Sequence, residues 1–105
     1  YMFYNSISFN CDISNWNVSK VTNMSSMFHG ATSFNGDISR WNVSNVENMS
    51  HMFYCATLFN CNLNNWNISN VEDMRNMFSE ANDFDRNNMN QWNLDHVEYK
   101  NHIFE

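Results

Sequence analysis

Proline is absent from this sequence, glycine occurs only twice, and charged residues make up 15%. A chain so poor in Gly and Pro has to turn on other residues. Its abundant Asn suits that task, because Asn tolerates left-handed backbone and its side chain bonds to nearby main chain. Only five residues are Lys or Arg, against eleven Asp or Glu, for a net charge of −6. That balance disfavours nucleic acid, where affinity comes mostly from basic side chains neutralising phosphate. No apolar run approaches the roughly 18–20 residues that span a bilayer. The chain opens on Tyr1-Met2-Phe3 rather than on a charged leader. With 105 residues, 43% of them hydrophobic and 16% aromatic, there is material for one small, efficiently packed core.

That apolar material is strictly periodic. The tryptophans Trp16, Trp41, Trp66 and Trp92 step by 25, 25 and 26 residues. All nine phenylalanines fall into two columns, Phe3, Phe28, Phe53, Phe78, Phe104 and Phe9, Phe34, Phe59, Phe84. Met24, Met49 and Met74 form a third column continued by Tyr99; Met2, Met27, Met52 and Met77 form a fourth continued by Ile103. Val21, Val46, Val71 and Val97 align, as do Ala31, Ala56 and Ala81. One extra residue lies between Phe84 and Met89. A fixed period of this length marks a repeat architecture whose units bury their apolar faces against one another.

Within a unit, Val46, Met49, Met52, Phe53 and Ala56 follow the spacing i, i+3, i+6, i+7, i+10, an arc of about 120° on a helix. Ser44-Asn45-Val46-Glu47 and Ser69-Asn70-Val71-Glu72 read as capping boxes. A helix is therefore expected over 45–56 and its equivalents. Trp41-Asn42-Val43 and Asp37-Ile38-Ser39 read as short strands, with a bend between Ile38 and Trp41. The expected fold is an α/β repeat solenoid, leucine-rich-repeat-like, with one short parallel strand segment and one helix per coil. The alternative is an all-β parallel solenoid. One array of about four repeats would fill residues 1–105, anchored on Trp16, Trp41, Trp66 and Trp92. Met2-Phe3 and Ile103-Phe104-Glu105 fall mid-unit, so the sequence reads as an excerpt from a longer array.

The unit Trp-Asn-Val-Ser-x-Val-x-x-Met-x-x-Met-Phe-x-x-Ala-x-x-Phe-Asn resembles the 25/26-residue repeat of BspA-like leucine-rich-repeat surface proteins, which include bacterial surface proteins and mycoplasma lipoproteins. It stands here as Trp41-Asn42-Val43-Ser44 through Met49, Met52-Phe53, Ala56 and Phe59-Asn60. The last unit departs from the pattern at Leu94-Asp95, Tyr99 and Ile103. The resemblance implies a surface-exposed scaffold for protein or host-cell binding and adhesion, with no enzymatic activity and no cofactor. A structural spacer holding another domain away from a surface is the alternative function.

Residues able to carry chemistry were weighed against simpler roles. Cys11 and Cys61 share a column two units apart. Strand stacking would put them about 9–10 Å from each other, beyond the ~7 Å limit for a disulfide. Cys55 and Cys61 lie across a turn, where a bond is possible but not indicated; three unpaired packing thiols are expected. The histidines His29, His51, His96 and His102 read as scattered over the repeat, without a ligand cluster. Asp12, Asp37, Asn62 and Asn88 suggest turn capping rather than a calcium ladder. The Asn-x-Ser triplets at Asn17, Asn23, Asn42, Asn48 and Asn67 match glycosylation acceptors, but they recur because the unit does. The Asn beside each Trp is expected to bond between coils. Partner binding is expected at the varied residue before each Trp: Asn15, Arg40, Asn65 and Gln91.

Overall fold

The buried residues of each period lie three or four apart because the backbone closes one turn after another. The computed structural model describes residues 2–104; Tyr1 and Glu105, the outermost residues of the repeat pattern, lie outside the described residues. In the second full unit Val46, Met52, Tyr54, Ala56 and Phe59 each donate their N–H to the carbonyl three residues earlier, at 3.0–3.2 Å. The same turns recur one period before and after. Trp41 and Trp66 likewise close turns on Ile38 and Leu63, which places the expected bend between Ile38 and Trp41.

These turns do not add up to a helix, and the α/β solenoid expectation is corrected. Among the described residues the one helical segment is a 3-10 turn over Arg86–Met89, and no strand or sheet forms. The segment expected as helix, 45–56, carries positive φ at His51 (57°) and Cys55 (60°). Left-handed residues four apart cannot lie in a right-handed helix. The pattern repeats at Ser26 and Gly30, and at Asn76 and Glu80. Alternate N–H groups then leave the unit instead of pairing with a carbonyl four residues back. Met49, His51, Phe53 and Cys55 donate to the carbonyls of Asp73, Arg75, Met77 and Ser79, at 2.8–2.9 Å. Met24, Ser26, Phe28 and Gly30 donate in the same way to Asn48, Ser50, Met52 and Tyr54.

The strand expectation fails at the same level. Trp41-Asn42-Val43 and Asp37-Ile38-Ser39 form no strand, and the all-β alternative finds no sheet. Isolated parallel bridges instead join Asn23 to Asn48, Asn48 to Asp73 and Asp73 to Tyr99, inside segments expected to be helical. The Ser44 capping box dissolves with the helix: Ser44 donates its hydroxyl to the side-chain Oδ1 of Asn42 at 2.6 Å.

Each period is thus a coil of turns laid on the next, and the apolar columns become stacks. Rings of Phe3, Phe28, Phe53, Phe78 and Phe104 follow one another at 5.5, 5.5, 5.4 and 5.6 Å. The second column stacks at 5.5, 5.8 and 5.9 Å. Within a coil the two rings meet at 3.9–4.3 Å. Met49, Met52, Val46, Ala56 and Leu63 are fully buried around them.

Asparagine seals the coils to one another. Asn35, Asn60 and Asp85 donate their backbone N–H to the side-chain oxygens of Asn10, Asn35 and Asn60, at 3.0, 2.9 and 2.9 Å. Asn45 and Asn70 reach back from their side chains to the carbonyls of Ser19 and Ser44. A ladder between coils exists, but it runs along the Asn that follows Phe9, Phe34 and Phe59. The Asn beside each Trp instead folds on itself: Asn17, Asn42 and Asn67 accept from the N–H of Ser19, Ser44 and Ser69. Asn23 and Asn48 close equal turns on Ser25 and Ser50, so the Asn-x-Ser recurrence is a turn signature.

Candidate functional site

The residue before each Trp sits at the outer corner of a turn whose closing residue is locked inward. Trp41 donates its indole N–H to the Ile13 carbonyl at 3.1 Å, Trp66 to Ile38 at 2.9 Å, and Trp92 to Leu63 at 2.9 Å. Each indole thereby ties its coil to the preceding one. Asn15, Arg40, Asn65 and Gln91 are all exposed. Trp41 and Trp66 are 4% accessible and Trp92 is half-buried, whereas Trp16, which makes no such bond among the described residues, is 40% accessible. The varied positions thus form an exposed file, and from Arg40 onward it lies beside an indole tied to the preceding coil.

Two grooves flank this file. One, of about 300 Å3, is lined by Asn64, Trp66, Asn67, Ile68, Ser69, Gln91, Trp92, Asn93 and His96. It brings one predicted residue, Gln91, beside two stacked tryptophans whose rings are 6.3 Å apart. The other, of about 360 Å3, runs past Asn35, Gly36, Asp37, Ser39, Asn60, Cys61 and Asn62. Asp37 there accepts from the hydroxyl and the N–H of Ser39, which hold its carboxyl below the usual range. The Cys61 thiol lies 3.7 Å from the same carboxylate. Burial first, and the Asp37 charge after it, push the Cys61 thiol up, away from nucleophilic thiolate.

The other candidate groups are dispersed or engaged. Cys11, Cys55 and Cys61 are all free thiols; burial and then the Glu80 carboxylate raise Cys55. Asp12, Asp37 and Asn62 cap turns at Ser14, Ser39 and Asn64. Asn88 does not, and Asp85 takes over by accepting from the Asn87 N–H. Among the described residues no group of three or more His, Cys, Asp or Glu is placed to hold a metal ion. No helix among them is long and apolar enough to cross a membrane.

The histidines are less scattered than their spacing suggested. His51 and His102 occupy one repeat position, both with positive φ. His29 lies between the rings of Tyr4 and Tyr54, at 4.6 and 4.8 Å, with the His51 ring 6.4 Å away. Its Nδ1 is buried with no hydrogen-bond partner. Burial, and then the neighbouring His51, lower its pKa. The sequence signal for this cluster was the column Tyr4, His29, Tyr54, whose members differ in chemical type.

No curated protein and no solved structure matches the chain. Over residues 1–105 it matches the family described as Mycoplasma protein of unknown function, DUF285.

Proposed function

Because the chain belongs to the DUF285 family, we propose that it is a non-enzymatic repeat scaffold at a cell surface, binding a protein or a host-surface ligand. The observation that carries this reading is the exposed file Asn15, Arg40, Asn65 and Gln91, the last three of which stand beside Trp anchors hydrogen-bonded to the preceding coil. Repeat proteins gain specificity in this way, by varying outward positions on a constant core. The columns also commit most bulky apolar residues of the inner coils to packing. The resemblance of the unit to BspA-like surface repeats supports the surface location and the adhesive role.

Beads coated with the protein, allowed to settle on cultured epithelial cells, test the reading. Replacing Asn15, Arg40, Asn65 and Gln91 together by Ala leaves the core untouched and is expected to abolish attachment. Undiminished attachment of that variant, with its fold intact, would contradict the assignment of these positions, and failure of the unaltered protein to attach would leave a spacer role in its place.

A further inference from the structure

The one irregular coil is also where an open groove forms beside the Trp stack. Phe34 to Ile38 and Phe59 to Leu63 take four steps, whereas Phe84 to Met89 takes five. The 3-10 turn Arg86–Met89 absorbs the extra residue, capped by Asp85. Asn64 braces this coil at both ends: its amide nitrogen donates to the Asn87 carbonyl, and its oxygen accepts from the Gln91 N–H, each at 2.9 Å. Beside the Asn64–Gln91 brace lies the groove of about 300 Å3, at the lower end of the usual range for small-ligand clefts.

Its lining has a definite chemistry. Both indole N–H groups point inward to the Ile38 and Leu63 carbonyls, so the half-buried Trp92, stacked on the buried Trp66, offers only carbon to the groove. Asn67 and Asn93 spend their oxygens on the N–H groups of Ser69 and Asp95, leaving both side-chain NH2 groups as donors. Ser19 and Ser44 give their hydroxyls to the preceding Asn, but Ser69 bonds Asn67 only through its N–H. Gln91 holds its side chain by one long bond to Asn90, at 3.5 Å. No Asp, Glu, Lys or Arg lines the groove. Its single titratable member, His96, is engaged through Nε2 with the Ile68 carbonyl at 2.9 Å.

We infer that this groove binds a neutral saccharide. A sugar presents hydroxyl oxygens to amide donors and C–H groups to aromatic carbon, and an uncharged one loses nothing in a groove without ions. Anionic sugars are opposed by the chain's net charge of −6 and by the absence of a cation in the lining. The inference deepens the binding-scaffold reading and rests on it through Gln91.

Two-dimensional amide NMR of the full chain, titrated separately with lactose, maltose and N,N′-diacetylchitobiose, tests it, with 3′-sialyllactose as the anionic counterpart. At least one neutral disaccharide should shift the side-chain amides of Asn67, Gln91 and Asn93, and sialyllactose should not. Gln91→Ala and Ser69→Ala, both at exposed positions, should each weaken that binding about tenfold, the loss of roughly one hydrogen bond. Lys20→Ala, at an exposed position outside both the groove and the file, should leave it unchanged. Three results would overturn the inference: no shift in these amides with any neutral sugar, equal or stronger shifts with sialyllactose, or groove shifts obtained only with peptides. If the sugars fail while the fourfold Ala variant still loses cell attachment, the groove assignment falls and the scaffold reading stands.

Discussion

At Cys55 and Glu80 the backbone holds φ of 60° and 61°, a region that residues with a Cβ avoid at a cost of about 1 kcal/mol or more. Gly30 fills the same repeat position without that cost, at φ 73°. Glu80 is exposed, so Glu80→Gly should relieve strain while losing little contact. Urea unfolding is expected to show it unchanged or more stable by up to about 1 kcal/mol. Gly30→Ala should move the other way by about 1 kcal/mol, since an added Cβ would also crowd the Asn5 side chain. His29 supplies a second test at this scale. Its pKa lies below the ordinary 6.5, so the folded chain resists a proton that the unfolded chain accepts. Stability is then full above about pH 6.5 and declines as pH falls toward the folded pKa. Tyr4, Tyr54 and His51 surround the ring, and none supplies Nδ1 with an acceptor. His29→Phe keeps the stacking and removes the titration. Unfolding curves between pH 5 and 8 should therefore be flatter for that variant.

At the scale of the coil, the Trp indole bond is the most informative contact. Trp66→Phe keeps an aromatic ring in the stack but leaves the Ile38 carbonyl with the Trp41 N–H as its remaining donor. A loss of about 0.5–1.5 kcal/mol is expected by urea unfolding, the worth of one hydrogen bond between coils. A loss near zero would mean that water replaces the indole. The columns of Trp, Phe and Met were legible in the sequence because stacked coils require the same side chain at the same place. The conformation within a coil was not. Closing one turn every three residues spaces Val46, Met49, Met52, Phe53 and Ala56 much as a helix face does. What separates the two is backbone handedness at Ser26, His51, Asn76 and His102, and no glycine marks that column. Asparagine was recognised as structural, yet the intercoil role fell to Asn10, Asn35 and Asn60. Every Asn has the same donors and acceptors, and only the direction of its side chain distinguishes a turn from a ladder. Of the candidate binding positions, the exposure of Asn15, Arg40, Asn65 and Gln91 could be anticipated from their variation. The groove at Gln91 could not, because it brings together Asn64–Ser69 and Gln91–His96 from neighbouring coils, and their meeting depends on the backbone conformation that the sequence did not reveal.

For the whole molecule, 34 × 30 × 23 Å in extent, cohesion comes from bonds between residues one period apart rather than from helices. The exposed file depends on that arrangement, since at Trp41, Trp66 and Trp92 it is the intercoil bonds that turn the indole inward and its neighbour out. Scalar couplings across hydrogen bonds, measured by NMR on the isotopically labelled chain, read the bonding partners directly. The account predicts couplings from the amide nitrogens of Met49, His51 and Phe53 to the carbonyl carbons of Asp73, Arg75 and Met77. Couplings from those nitrogens to the carbonyls four residues earlier, the signature of an α-helix over 45–56, would contradict it.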